Sequence, residues 1–450
     1  MTGTRKAPPA KAVAAPEVEA PSVAPSVAPS VASSVTEPVA AAAPRRPICM
    51  IVHAYYEEDP RVRREAETLV AAGWEVDVFG LRRAGEGPTA VVAGVNLHRL
   101  PVGRHQGAGL PVYLAEYGAF LVRSLWAATR AHRHRRYALI EVHSLPDYLV
   151  FAALPLKLAG VPVLLDLHEA MPEFFRSRFP KAANPISYRL LRLQEKLSIA
   201  FANEVMTVNE PLAERLRGLG AKPDRLTVIL NSPDLGLFDP AAHPTREFMA
   251  GGQLRIVYTG ALTPTYELDV VLRAVAAIAR IRPSLPVRAT FYGRGDAQPA
   301  LEALAEELGI ADRVEFPGRI PIEDVPRAVA EGDIGVAPTR LDPFTGMSLS
   351  TKLLEYAAMG KPVVASRLPT VERYFAPDTL AVYEPGDAES LATTILALVD
   401  DAPGRRARVD RTRRRVDELS WTRQAEAYRA VVDRLIARSH SRRGGAKAGM

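Results

Sequence analysis

Ser350, Thr351, Lys352 and Glu355 form the most chemically suggestive pattern in the chain. They open a short helix that runs to Gly360, and a buried strand, Pro362 to Ala365, follows. The first backbone N–H groups of such a helix lack intrahelical partners, and the Ser350 hydroxyl can cap only one of them. Free N–H groups, the positive end of a helix dipole and the Lys352 ammonium together make an anion site. One turn further on, the Glu355 carboxylate is placed to grip a diol such as a ribose. A diphosphate beside a ribose is the handle of a nucleotide sugar. The same residues also describe an ordinary capped helix with a Lys352–Glu355 surface pair, and the helix alone does not choose between the two readings.

Other residues with useful chemistry sit at strand ends. Thr259-Gly260-Ala261 follows one apolar run, Gly293-Arg294-Gly295 the next, and Gly318-Arg319 a third. Gly260 lets backbone approach a ligand closely. Each is a common kind of turn, and it is their convergence with the Ser350 helix on one sheet edge that points to a site. In the first half, His168 beside Glu169 is suited to positioning a hydroxyl, and it serves equally well as a hydrogen-bonded loop histidine.

The elements that must hold these residues alternate strand and helix. In the first series, Ile48–Val52, Trp74–Gly80, Leu139–Val142, Val163–Leu167, Val205–Val208 and Leu226–Leu230 read as strands, with an amphipathic helix over 61–72. A second series runs through Leu254–Tyr258, Val287–Tyr292, Val314–Phe316, Ile334–Ala337, Val363–Ala365 and Leu380–Tyr383. Such alternation implies parallel sheets covered on both faces, with ligands beyond the carboxyl ends of the strands. The expected organisation is α/β: a first domain over 47–240 and a second over 253–415. A helix over 416–438 packs back on the first domain, and a loose tail covers 439–450. Residues 1–46, almost entirely Ala, Pro, Val, Ser and Glu, read as a disordered tether.

Bulk properties agree. A chain of 450 residues, 48% hydrophobic and 24% charged, is too long for one core and ordinary for a two-domain enzyme. One cysteine, Cys49, excludes an internal disulfide and suits a cytoplasmic setting. A net charge of +6 does not indicate a nucleic-acid binder. Tyr148 to Leu167 is long and apolar, but Lys157 and the Gly160-Val161-Pro162 break divide it into helix and strand, so no membrane span is expected.

In this arrangement the residues resemble the retaining GT-B glycosyltransferases, the group that includes sucrose synthases and bacterial surface-polysaccharide mannosyl- and glucosyltransferases. The motifs are Asp59-Pro60-Arg61-Val62-Arg63-Arg64-Glu65-Ala66, Gly73-Trp74-Glu75-Val76, Val142-His143-Ser144-Leu145-Pro146-Asp147 and Asp166-Leu167-His168-Glu169. Tyr258-Thr259-Gly260, Tyr292-Gly293-Arg294-Gly295, Val314 to Arg319 and the Ser350 helix follow in family order. The resemblance implies two Rossmann-like domains facing across a cleft and transfer of a sugar from a UDP- or GDP-sugar. In that reading Glu355 holds the ribose; Ser350, Thr351, Lys352, Gly260, Gly293 and Arg294 surround the diphosphate; and Arg319 lies near the base. His143, Asp147, His168 and Glu169 face the acceptor, with His168 and Lys352 acting in catalysis.

Retaining members need no protein nucleophile, in keeping with the absence of a clear nucleophile–base motif. No Asp-x-Asp motif stands before an apolar strand, so a reaction without metal or cofactor is expected. Three departures stand out. Met347 occupies the place of a glutamate that touches the donor sugar, with Asp342 as a substitute from the same loop. Ala261 and Tyr266 occupy places where the family has phosphate-binding arginine and lysine. Residues 174–196 hold six basic residues against one acid, Glu195, interleaved with aromatics and leucines. That mix suits an anionic membrane surface and a glycan or polyprenyl-linked acceptor, with Arg130, Arg133, Arg135, Arg136, His132 and His134 adding charge. A nucleotide-sugar epimerase and a non-catalytic scaffold of the same fold remain the alternatives.

Overall fold

The computed structural model describes residues 45–104, 109–179, 181–244 and 246–448. The 1–46 tether therefore lies almost wholly outside the described residues. Within them the chain builds an eight-stranded and a six-stranded sheet. The first contains β1 (Ile48–Ile51), β2 (Val76–Leu81), β3 (Thr89–Val92), β4 (Val95–Leu100), β5 (Leu139–His143), β6 (Val163–Leu167), β7 (Glu204–Thr207) and β8 (Leu226–Val228). Its order is β3-β4-β2-β1-β5-β6-β7-β8, parallel except where β3 runs against β4. Runs such as Ile48-Cys49-Met50-Ile51 are buried along their whole length, as strands covered on both faces must be. The second sheet contains β9 (Leu254–Thr259), β10 (Val287–Tyr292), β11 (Val314–Gly318), β12 (Ile334–Ala337), β13 (Val363–Ser366) and β14 (Ala381–Tyr383), ordered β11-β10-β9-β12-β13-β14.

Both sheets reverse their winding direction at an internal pair, β1/β5 in the first and β9/β12 in the second. Loops leaving such a pair diverge to opposite faces and open a crevice at the carboxyl edge. Just past β1 and β5 come His53 (second after the strand) and Ser144; just past β9 and β12 come Gly260 and Thr339 (second after the strand). Ladder registers confirm that these strands end level with their neighbours: Ile51 pairs with Val142, and Thr259 with Tyr292.

The C-terminal boundary differs from the expected one. Helix Ala402–Glu418 belongs to the second domain, where Val416 and Leu419 join its core. The chain then crosses back, and helix Trp421–Ala448 lays Tyr428, Val431, Val432, Leu435 and Ile436 on the first sheet. Tyr428 donates to Glu141 Oε2 (2.6 Å) and Trp421 Nε1 to Thr68 Oγ1 (3.1 Å). Residues 439–448, read as loose tail, continue this helix, because extending a helix already anchored by packing costs little.

Candidate active site

The first domain contributes the helix Pro60–Ala71, which starts where β1 ends. Asp59 caps it by accepting from the backbone N–H groups of Arg61 (3.2 Å) and Val62 (3.3 Å), and Pro60 has the φ a first helical residue needs. That start presents Arg61 and Arg64, one turn apart, to the cleft. Across it stands the helix Thr351–Ala358. Its Ser350 forms no capping bond, and the Ser350 hydroxyl is buried without a partner, so the first-turn N–H groups are left free for something else. This corrects the expectation that Ser350 caps the helix.

Lys352 is not on the surface. It is buried, and its Nζ lies 3.9 Å from the ring centre of Tyr266 and 5.4 Å from that of Tyr258. Its stem passes over Gly260, which has φ +142°, and a Cβ there would stand 2.9 Å from Nζ and closer still to Cε. Gly260 is therefore required by the lysine that crosses it. Glu355 is half-buried; burial raises its carboxyl above the usual range against the pull of Lys352 and Arg64. Arg64 hydrogen-bonds Asn231 Oδ1 and also lies over the Trp421 ring at 5.5 Å.

Two adjoining cavities, of about 570 and 370 Å³, share Arg61, His168, Glu169, Phe174, Asn231 and Thr351. Glu355 lines the larger; Lys352, Ser350, Ala261, Tyr266 and Met347 line the smaller. His168 sits where they meet. Its Nε2 bonds to Asp166 and its backbone N–H to Ser144 Oγ (3.0 Å). Burial and the Arg61 charge outweigh Asp166 and lower its pKa, favouring a neutral ring. Burial alone would raise Asp166; His168 and His143 overcome it and hold that carboxyl well below its ordinary value. Glu169, on the cavity wall, is raised by burial against the opposing Arg61.

Not every expected residue reaches the cavities. His143 is fully buried, 3.2 Å from Asp166 Oδ2, and Asp147 is buried with both carboxylate oxygens unbonded, its pKa raised chiefly by burial and then by Glu195. Neither lines either cavity; His143 shares Asp166 Oδ2 with His168. Gly293 packs on the Gly260 carbonyl so tightly that a Cβ could not fit. Arg294 is exposed, and Arg319 reaches Glu58 of the other domain (3.3 Å); neither lines a cavity. Asp342 accepts from the N–H groups of Phe344 and Thr345 and from Ser177 Oγ, so it braces the loop and does not line either cavity. Met347 itself accepts from Asn209 Nδ2 through its carbonyl (2.8 Å).

Sequence reasoning passed over His53. It follows β1, lines the larger cavity and lies 3.0 Å from Glu116, with both side chains buried. Desolvation lowers it to about 4 despite that carboxylate. Glu65, Glu141, His143 and Asp166 offer ligand atoms within 4.8 Å of one another, as do His143, Asp166 and His168. Among the described residues, these clusters could hold a cation.

Comparison with known proteins now bears on this geometry. The "Glycosyl transferase 4-like domain" family matches residues 59–232, and "Glycosyl transferases group 1" matches 253–401. The chain is a GT-B glycosyltransferase. Among its relatives, the D-inositol 3-phosphate glycosyltransferase of Thermomonospora curvata is 26% identical over 395 residues, covering 82% of this chain and 87% of that one. The MMP alpha-(1->4)-mannosyltransferase of Mycolicibacterium hassiacum is 26% identical over 255 residues, 56% of this chain and 58% of the other. In fold, this glycosyltransferase is similar to sucrose-phosphate synthase from Thermosynechococcus elongatus (TM-score 0.73, 21% identity, 87% of this chain and 100% of that one). It is also similar to Anabaena HepE in complex with UDP and glucose (TM-score 0.64, 15% identity, 86% and 100%).

The basic segment over 174–196 lies on two helices in this glycosyltransferase, Met171–Arg178 and Pro185–Phe201. Asn184 caps the second, accepting from Ile186 and Ser187, and Pro185 begins it. Its inner face buries Glu195, Ser198 and Ile199. Its outer face exposes Ile186 (70%), Leu190 (60%), Leu193 (53%) and Leu197 (52%), with exposed Arg189, Arg192 and Lys196 between them. Arg135 does not add to this charge: it pairs with Asp77 and Glu75. No helix among the described residues is long and apolar enough to cross a membrane.

Proposed function

We propose that this glycosyltransferase moves a sugar from a UDP- or GDP-sugar, with retention, to a glycan or polyprenyl-linked acceptor in surface glycan synthesis. The observation that carries the reading is the pairing across the cleft of an uncapped helix start, Lys352 and Glu355 with His168 and Arg61. Breaking the anomeric bond leaves a diphosphate and an oxocarbenium-like sugar. Free N–H groups and a buried ammonium stabilise that leaving group by several kcal/mol in a dry site. Glu355 is placed for the ribose, one turn along. A neutral His168, with Nε2 turned to Asp166, keeps Nδ1 as the nitrogen able to accept from a sugar hydroxyl. No side chain is needed as nucleophile if the acceptor attacks from the leaving-group side, and a metal-free reaction fits that chemistry. HepE, whose fold this chain shares, binds UDP and glucose, which favours the same class of donor.

The Ile186–Leu197 stripe, with arginines and a lysine between its apolar residues, suits the inner face of an anionic membrane. A cytoplasmic, membrane-attached enzyme acting on a lipid-linked acceptor is the corresponding setting. Cosedimentation with vesicles containing anionic lipid tests it: Leu190→Glu with Leu193→Glu should release the protein, and equal binding by the variant would remove the membrane from the proposal.

The donor is tested by a thermal-shift panel of UDP, GDP, ADP and their sugars, followed by assay of sugar release with whichever donor stabilises. A ligand at a hundred times its dissociation constant adds about 2.7 kcal/mol. No shift with any nucleotide refutes the reading and leaves a scaffold; interconversion of the free nucleotide sugar in place of transfer makes the protein an epimerase.

A further inference from the structure

A diphosphate brings at least two negative charges into a cleft whose second-domain wall, at the smaller cavity, offers Lys352 as its cation. Ala261 and Tyr266, also on that wall, are uncharged. We propose that Arg61, from the opposite domain, supplies the second positive contact to the donor diphosphate; this rests on the nucleotide-sugar reading above.

Four observations lead there. Arg61 lines both cavities, at the junction that also holds Thr351 from the helix start. Its Nε and Nη1 are fully buried and hydrogen-bond to nothing among the described residues. A buried guanidinium nitrogen without an acceptor is costly, and an anion in the cleft removes that cost. Of the neighbouring cations, Arg63 is committed to Glu67 and Arg178 to Asp296; Arg64, bonded to Asn231 but with its Nε also buried without an acceptor, and Arg104 line only the larger cavity and not the junction with the helix start. Of the carboxylates that act on Arg61, Asp59 is occupied in capping the helix through backbone N–H groups, and neither Glu65 nor Glu169 accepts from its Nε or Nη1. Arg61 thus lines the cleft with these two donor nitrogens unspent. A planar guanidinium matches the bidentate geometry of a phosphate, which a second lysine would not.

Because Arg61 and Lys352 stand on different domains, a diphosphate between them also ties the two domains together. Lys352 and the helix start alone would hold it on one side only.

Calorimetric titration with whichever of UDP or GDP stabilises the wild type, with its nucleoside and with inorganic pyrophosphate, tests the assignment. Arg61→Gln should weaken the nucleoside diphosphate and pyrophosphate tenfold or more and leave the nucleoside within twofold. Arg63→Gln, close by on the same helix, should change none of them. An unchanged diphosphate constant in Arg61→Gln overturns the proposal, as does an equal loss for the nucleoside, which would make Arg61 a wall of the pocket. Unchanged diphosphate binding with a raised acceptor KM would assign Arg61 to the acceptor and overturn it equally. Failure of the wild type to bind any nucleotide would refute the donor reading itself. If Arg61→Gln does not fold, phenylglyoxal labelling of the wild type decides: the diphosphate must protect Arg61, and labelling at an unaltered rate refutes the contact.

Discussion

Gly260→Ala separates two consequences that are usually confounded. The backbone at 260 has φ +142°, a region open to glycine, and forcing a side chain there costs about 1–3 kcal/mol. The added Cβ also runs into the far end of Lys352. A lysine tip swings away cheaply, so that clash adds little to the stability loss, but it takes the ammonium off its position over Tyr266. A hydrogen bond to a charged group is worth about 1.5–3 kcal/mol, so moving Lys352 should weaken a nucleoside diphosphate by roughly ten- to a hundredfold. Urea unfolding reads the first effect and calorimetric titration with the stabilising nucleotide the second. Lys352→Met should reproduce the affinity loss without the backbone cost. If Gly260→Ala loses stability while its nucleotide affinity stays within twofold of wild type, Lys352 does not touch the donor, and the anion-site reasoning for this helix fails.

Glu355→Ala should abolish the nucleotide-induced thermal shift while leaving the unliganded melting temperature level or higher, since it removes a half-buried carboxyl; a persisting shift rules out the ribose role. Glu141, raised to about 7 chiefly by burial, binds more protons folded than unfolded. Its stabilising contribution is complete below about pH 4.3 and is lost as pH rises through about 7, by roughly 3–4 kcal/mol at most. Denaturant unfolding at pH 5 and pH 8 should show this fall in the wild type and a smaller one in Glu141→Gln; parallel curves would refute it. Arg215 binds Glu195 at 2.6 Å and Glu173 at 2.6 Å, and Glu195 is fully buried. Arg215→Ala leaves that charge unpaired and should cost about 3–5 kcal/mol, read by thermal unfolding; a loss under about 1 kcal/mol would mean Glu195 is held neutral.

Most of the architecture could be read along the chain, because strands buried on both faces leave uninterrupted apolar runs. Ile48–Ile51 and Val363–Ser366 are of this kind. The β3–β4 hairpin escaped notice. Its turn is Ala93-Gly94, both at positive φ, and alanine gives no hint of that conformation. The break before Pro185 is legible in Asn184-Pro185, a cap followed by a first-turn proline, although the basic and aromatic pattern runs across it. In the site, the Ser350 helix and Gly260 declared themselves through residue type. The burial of His143 and Asp147 could not be read from their motif, because a motif gives order along a strand end and not depth. Arg61 stood inside a quoted motif without a role, since nothing local shows which cations will find partners and which will not. That depends on packing between segments far apart in sequence.

The return of the chain at Leu419–Trp421 makes the second domain an insert within the first. Ser232 hydrogen-bonds the Leu419 carbonyl, and Gln424 accepts from the Leu230 N–H, so the outward and homeward crossings are fastened side by side. A double crossing of this kind permits one sense of relative rotation far more readily than others, in the manner of a door on two hinges. It also sets how the protein can be recombined. A second domain grafted from a relative has to be cut at both crossings and must bring no final helix of its own. Truncation before Trp421 would strip Tyr428, Val431 and Val432 from the first sheet and unsettle the domain that had not been touched.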